Sequence, residues 1–468
     1  MQDFRKNIDY NVKKCYPYLD EGDACMLVEF RVKNFLSYKN ETVLSMVADK
    51  NRELSDTNVF KHASMSLLKI AAIFGANASG KTNLIQSMEF LNGLLHPNKE
   101  IDYSELPSFK LDNYSENKPS MFEVTFYIGN TRYRYGVEVD REGIFSEWLF
   151  FAPNRQEACL FEREKNEITR TGVYFGNKRA LDYIKPDPKK PFLFTLAQES
   201  VREFDWAKKI HQYLIFYIRS TNIPDSIFER FIQVELFGEK STSQKKNIVS
   251  KEKIIQFLRD ADFGISDISV VKVKEDHNEI IEAFLEVLRS KGQDIKIDQD
   301  LFKTLLHHKK YNENNEYIDD EKFPLEMESS GTIRFFRLLY PIFYVLHKGG
   351  ILLVDEIESS LHPLLCERIV RLFNDKESNP KNAQLIFTTH NTLLMRPDLL
   401  RRDQIFFTDK DSYGVSTLYS LYDIDINVRN NFNYMNNYLS GRFGAIPYLG
   451  MFLLKGESSE EENHEAQT

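Results

Sequence analysis

The first regular pattern of the chain starts at Met26, where MLVEFRVKNF alternates apolar and polar residues as a half-buried strand does. Residues 1–25 lack such a period, mix polar and aromatic residues and end in DEGDAC, so they read as an extension. From Leu67 the run LLKIAAIF is continuously apolar and of strand length. It leads into GANASGKT and then NLIQSMEFLNGLL, whose apolar residues recur at helical spacing, giving strand, glycine-rich loop and helix in that order. Residues 121–150 alternate between turns at Gly129-Asn130 and Arg141-Glu142-Gly143 and predict antiparallel strands, continued less clearly through 155–175. From 200 to 320 the pattern turns helical in REFDWAKKIHQYLIFYI, KEKIIQFLRDA and NEIIEAFLEVLRS, while GEKSTSQKKN and KKYNENNEYIDDEK read as polar loops. No heptad is sustained, which argues against a long coiled coil. Strand and helix alternate again from about 328 to 425, and the tail GESSEEENHEAQT is acidic and predicts disorder. The expected organisation is an extension (1–25), an N-terminal lobe (26–200), a helical insertion (201–325), a C-terminal lobe (326–449) and a tail (450–468).

Composition narrows the class. Lysine and arginine total 61 against 70 aspartates and glutamates, a net charge of −9, which argues against a general nucleic-acid coat but leaves room for a local basic groove. Apolar residues at 42% and charged residues at 28% exclude a wholly disordered, collagen-like or disulfide-stapled chain. Cys15, Cys25, Cys159 and Cys366 form no CxxC pair and no Cys/His cluster of zinc spacing, so they read as buried thiols in a reducing compartment. MQDFRKNIDY lacks the apolar stretch of a secretory signal, and no apolar run is long enough to span a bilayer. The expectation is a cytoplasmic protein without membrane contact.

Four motifs carry chemistry. Gly75-Ala76-Asn77-Ala78-Ser79-Gly80-Lys81-Thr82 fits G-x-x-x-x-G-K-[ST] between a strand and a helix. Its glycines permit a tight loop whose N–H groups face phosphate oxygens, and the helix N-terminus that follows adds partial positive charge. Lys81 then pairs with β- and γ-phosphates and Thr82 with Mg2+. In Ile351-Leu352-Leu353-Val354-Asp355-Glu356 two carboxylates end an apolar strand, where open α/β sheets bind ligands. Asp355 would hold the metal and Glu356 the attacking water, although Asp-Glu after a strand also serves as a helix cap. Ser329-Ser330-Gly331, 24 residues before Asp355 when counted from Gly331, opens the helix IRFFRLLYPIFYVL and is either an anion site or a plain N-cap. His390, 35 residues after Asp355, follows the apolar segment QLIFTT.

This order resembles the ATP-binding-cassette ATPases, whose signature motif LSGGQ becomes xSSGT in some branches. The resemblance implies an α/β ABC-type head with an antiparallel lobe, a parallel P-loop sheet and an inserted helical subdomain. It implies that ATP and Mg2+ are bound by Gly75, Asn77, Ser79, Gly80, Lys81, Thr82 and Asn83. It implies that Ser329, Ser330 and Gly331 meet the ATP of an opposite subunit, and that His390 is the switch histidine. Catalysis falls to Glu356, His390 and Lys81, and metal binding to Thr82 and Asp355, with Gln198 in PFLFTLAQES the candidate Mg2+-sensing glutamine. Residues 26–46 resemble the opening strands of SMC-like heads and nominate Asn34, Phe35, Ser37 and Tyr38 near the nucleotide, unless they only pack. ESSLHP (358–363) resembles the recombination-and-repair and OLD (overcoming lysogenization defect) branches, with His362 where transporters carry aspartate. YMNNYLSGRFGAIPYL (434–449) resembles the RloA/AbiL-type ATPases of bacterial abortive-infection loci, which are related to OLD-family and PARIS-type defence ATPases.

Gly80 and Gly331 are 251 residues apart, yet the insertion between them lacks the CxxC hook of break-repair ATPases, and no carboxylate-rich nuclease domain follows the core. The resemblance therefore implies a homodimer or higher homo-oligomer with ATP at its interface and a separate effector, a nuclease or an RloB-like protein, in anti-phage defence. A DNA-repair or chromosome-maintenance ATPase and a low-turnover scaffold for a toxin or nuclease are the alternatives. Basic clusters at Lys240, Lys245, Lys246, Lys251 and Lys253, and at His307-His308-Lys309-Lys310, are either nucleic-acid contacts or solvated loops.

Overall fold

The computed structural model describes residues 25–96, 100–154, 156–200, 202–220, 250–273, 301–425 and 432–447. The extension, the acidic tail, the segment NEIIEAFLEVLRS and Lys240, Lys245 and Lys246 lie outside the described residues.

The apolar runs build a six-stranded core sheet in the order β11 (Ile218–Ser220), β15 (Ile351–Val354), β16 (Gln384–Thr388), β5 (Ile70–Gly75), β17 (Ile405–Lys410) and β18 (Ser416–Ser420). All its pairs are parallel except β17–β18. A sheet covered on both faces needs apolar residues at successive positions, which is why these strands do not alternate. Ala71, Ile73, Leu353 and Ile386 face helix α1 (Lys81–Leu95) and the antiparallel lobe. Ile70, Ala72, Phe74, Leu352, Val354 and Phe387 face α5 (Ser330–Lys348), α6 (Pro363–Asn374) and α7 (Tyr434–Leu439). Tyr438 of α7 stacks on Phe407 with ring centroids 5.4 Å apart, so the segment read as a terminal motif closes this second face.

The second sheet is antiparallel, in the order β10 (Glu167–Thr171), β9 (Gln156–Glu164), β8 (Gly143–Asn154), β7 (Thr131–Asp140), β6 (Ser120–Ile128), β1 (Cys25–Lys33) and β2 (Thr42–Ser45). A buried carboxylate secures its far end. Glu147 accepts the N–H groups of Phe192 and Leu193 at the start of α2 (Phe192–Gln198), at 2.6 and 3.0 Å, with Arg163 beside it at 3.5 Å. Burial raises the Glu147 pKa and Arg163 opposes that shift. Gln384, fully buried at the start of β16, joins the two sheets: it accepts from Leu27 N (2.6 Å) and donates to Leu27 O (3.1 Å) and Leu68 O (2.9 Å).

Three sequence expectations change. LLKIAAIF is two strands, since β4 (Met65–Leu68) pairs with β3 (Val59–His62) in a separate ribbon before β5 begins. Lys69 makes the break, its buried ammonium donating to Asn374 O (3.0 Å) at the end of α6. Residues 201–325 are not solely helical. Helices α3 (Asp205–Tyr217) and α4 (Lys251–Asp260) are followed by a three-stranded antiparallel sheet of β12 (Ile265–Val273), β13 (Leu301–Tyr311) and β14 (Tyr317–Pro324). KKYNENNEYIDDEK is thus a hairpin, whose polar strands are held by cross-strand pairs such as Lys310–Glu321 (2.7 Å) and whose turn uses Asn315 at φ 62°.

Gln384→Ala leaves three buried backbone groups at the sheet junction without partners. It is expected to cost on the order of 3 kcal/mol in urea denaturation. A loss below about 0.5 kcal/mol, the range of ordinary surface substitutions, means that the junction does not depend on this side chain.

Candidate functional site

Strands β15, β16 and β5 are adjacent and parallel, so the turns leaving their C-terminal ends converge. The turn after β5 is the glycine-rich loop. A Cβ on Gly75 (φ +153°) would lie 2.4 Å from Thr408 O, so only glycine lets β17 approach here. A Cβ on Gly80 (φ +117°) would lie 2.5 Å from Ser416 Oγ. Gly80 brings no side chain to cap α1, whose first N–H groups are left for another acceptor.

Hydroxyls and an amide hold the loop from outside. Ser79 Oγ and Thr408 Oγ1 are 2.6 Å apart, Ser416 Oγ donates to Ser79 O (2.6 Å), Tyr38 OH to Gly80 O (3.1 Å) and Asn83 Nδ2 to Ser37 Oγ (2.6 Å). Lys81 is buried and donates to Gly75 O and Ala76 O, both at 3.0 Å. Burial lowers its pKa, while Glu358, Glu356 and Asp355 pull it back up. Asn77 is exposed at the loop's apex.

The turn after β15 centres on Asp355. Its Oδ1 accepts from Thr82 Oγ1 (3.3 Å) and Thr388 Oγ1 (2.6 Å). Thr388 Oγ1 in turn accepts from Glu356 N (2.7 Å). Glu356 has an exposed side chain and a left-handed backbone, φ +47°. After β16, His390 N–H and Thr389 Oγ1 both donate to the Glu358 carboxylate. Burial, then Lys81, lower the His390 pKa against the pull of Glu358, Glu356 and Asp355. Among the described residues no three His, Cys, Asp or Glu side chains are grouped to hold a metal. The adjacent Thr82 hydroxyl and Asp355 carboxylate instead suit a hard cation that completes its shell with phosphate and water oxygens, as Mg2+ does.

The serine-rich helix start adjoins the turn after β15. Ser329 caps α5, its Oγ accepting from Thr332 N (3.1 Å). Ser330 is exposed, and a Cβ on Gly331 would lie 2.8 Å from Ser360 O. One turn on, Arg334 Nη2 donates to Asp355 O (3.2 Å). His308 of β13 binds the Glu328 carboxylate (2.7 Å), tying the inserted sheet to the residue before the cap.

Gly75, Asn77, Ser79, Gly80, Lys81, Thr82, Asn83, Asp355, Glu356 and His390 therefore lie on turns leaving one edge of the sheet. Asn34 and Phe35 do not join them. Asn34 Nδ2 donates to Ser115 O (2.8 Å) and Lys118 O (2.7 Å), and Phe35 packs between Phe90 and Phe122, so both hold the lobe together while Ser37 and Tyr38 reach the loop. Gln198 is exposed at the end of α2 and has no hydrogen bond to the loop or to Asp355 among the described residues. His362 caps α6, its Nδ1 accepting from Leu364 N (3.3 Å). The basic cluster at 307–310 is largely paired internally: His307 with Ser269, His308 with Glu328 and Lys310 with Glu321. Thr408, Ser416 and Arg334 were not singled out from the sequence, and Thr388 and Glu358 entered only within QLIFTT and ESSLHP, without a role of their own. The signals were Thr388 closing an apolar run and Glu358 two residues beyond Glu356. Thr408 and Ser416 have no local signal, because strand pairing brings them to the loop.

A family model described as "AAA domain, putative AbiEii toxin, Type IV TA system" matches residues 70–396. No curated protein matches the chain. Among solved structures the chain is similar to the SMC head domain from Thermotoga maritima, at 14% identity and TM-score 0.37, covering 86% of this chain and 100% of that one. It is similar to the Smc head domain from Pyrococcus furiosus, solved with an extended coiled coil and bound to the C-terminal domain of ScpA, at 14% identity and TM-score 0.34, covering 85% and 96%. It is also similar to the Smc head domain with a coiled coil and joint from Pyrococcus yayanosii, at 10% identity and TM-score 0.40, covering 85% and 97%.

Thr388→Val keeps the shape of the side chain but removes the hydroxyl shared by Asp355 and the Glu356 amide. It is expected to lower unfolding free energy by about 1–3 kcal/mol. Unchanged stability in chemical denaturation contradicts this hydrogen-bonding arrangement.

Proposed function

We propose that this chain, which belongs to the family of AAA domains described as putative AbiEii toxin, Type IV TA system, binds and hydrolyses ATP as an ABC-type dimer and thereby gates a separate protein effector in anti-phage defence. The observation that carries the ATPase reading is the convergence of Lys81, Thr82, Asp355, Glu356 and His390 on one sheet edge. The N–H groups of the loop and of α1 hold the phosphates. Lys81 exchanges its carbonyl partners for β- and γ-phosphate oxygens. Thr82 and Asp355 hold Mg2+, which when bound neutralises charge on the transferring phosphoryl group. Glu356 orients the attacking water and accepts its proton. His390 donates toward the γ-phosphate, and Glu358 fixes its backbone.

Ser329, Ser330 and Gly331 serve the nucleotide of a second copy. Their exposure at the N-terminus of α5, where Ser329 and Ser330 lie open, supports this reading. The effector and the defence role rest on the family description and on the resemblance of the terminal segment to abortive-infection ATPases.

Glu356→Gln is expected to reduce ATP turnover about 10²–10⁴-fold while retaining nucleotide. Lys81→Ala is expected to abolish nucleotide binding. Light scattering of the Glu356→Gln protein is expected to show a monomer-to-dimer shift on adding Mg-ATP. Wild-type turnover by Glu356→Gln would remove Glu356 from its role, and a monomer with and without Mg-ATP would end the dimer reading.

A further inference from the structure

The Asp355–Glu356 peptide group is gripped on both sides. Its N–H, on Glu356, donates to Thr388 Oγ1 (2.7 Å), and its carbonyl, on Asp355, accepts from Arg334 Nη2 (3.2 Å). The orientation of this peptide plane sets φ of Glu356, which sits at +47°, a region costly for a residue with a side chain. Such a conformation persists only where neighbours enforce it. If the plane rotates, the Glu356 carboxylate moves with it.

Arg334 is suited to enforce the plane. It lies four residues after Ser330 on α5, so the two share a helix face. Its Nε is buried without a hydrogen-bond partner, leaving the guanidinium held chiefly by its contact with the Asp355 carbonyl. Burial lowers the guanidinium pKa, Asp355 opposes that shift, Arg337 adds to it and Glu356 opposes it. The arrangement is a half-buried cation with spare donors, aimed from the serine-rich helix at the turn that carries both site carboxylates.

We propose that Arg334 is a positioning residue that transmits engagement of the Ser330-Gly331 helix start to the Glu356 carboxylate through the Asp355–Glu356 peptide. The coupling to a second copy rests on the function proposed above; the grip on the peptide does not. A shift of α5 when its N-terminus takes up the phosphate of a second copy moves Arg334 and, with it, the peptide. Arg334 would contact neither nucleotide nor metal, so its loss leaves ATP binding intact and misplaces Glu356.

Two measurements on the full chain test this. In steady-state kinetics, Arg334→Ala is expected to lower kcat at least 10-fold with KM for ATP within twofold of wild type and with the Mg-ATP-dependent mass shift preserved. Arg334→Lys, which keeps a cationic donor group, is expected to restore most of kcat. In hydrogen exchange, the segment containing the Glu356 amide is expected to exchange at least 10-fold faster in Arg334→Ala, with or without nucleotide. A wild-type kcat, or a parallel loss of binding and turnover that lysine does not rescue, overturns the positioning role. Unchanged exchange overturns the grip itself. Should the wild-type chain neither hydrolyse ATP nor dimerise, the function proposed above fails, and the exchange measurement still decides for or against the grip.

Discussion

Parallel strands leave their successive turns on one edge of a sheet, and that constraint brings the site together. Because β16 lies between β15 and β5, its closing Thr388 stands between the glycine-rich loop and the carboxylate turn. A single hydroxyl there can donate to Asp355 and accept from Glu356. Another strand order would separate these groups. The same order explains why Gln384, at the opposite end of β16, is the fully buried polar residue that joins the core sheet to β1. One strand therefore organises the chemistry at one end and secures the antiparallel lobe at the other.

The parts of the site visible in the sequence are those whose chemistry is contiguous in the chain. Gly75 to Thr82 and Ile351 to Glu356 each place an apolar strand next to the residues it delivers, so motif and context are read together. The residues that hold these motifs in place were not visible. Thr408 and Ser416 reach the loop through the pairing of β17 with β5 and through the β17–β18 hairpin, more than 300 positions away in the chain. Asn34 and Phe35 show the opposite case: a resemblance nominated four neighbours, and the tight turn after β1, with Asn34 and Leu36 at φ 54° and 49°, divides them between packing and the loop. The insertion misled for a further reason. Lys309, Lys310, Asp319 and Glu321 look like loop residues until cross-strand pairing puts lysines of β13 opposite carboxylates of β14.

The insertion also has a defined mechanical relation to the site. β14 runs through Leu325–Met327 directly into the start of α5, and His308 grips Glu328 just before the Ser329 cap. Leu306, Ile265 and Ile268 of the inserted sheet belong to the same apolar cluster as Phe335, Phe336 and Leu339 of α5. The inserted sheet and the serine-rich helix start are thus joined by one hydrogen bond and by shared apolar packing.

The electrostatics of the loop fit an anion that arrives rather than one that is built in. Lys81 is a buried cation whose desolvation is compensated by two carbonyl oxygens of its own loop and by three carboxylates beyond it. Carbonyl dipoles compensate an ammonium only in part, and Asp355, Glu356 and Glu358 are already engaged with, or left for, other partners. A phosphate placed at the loop gives Lys81 a full counter-charge and gives the first N–H groups of α1 their missing acceptor.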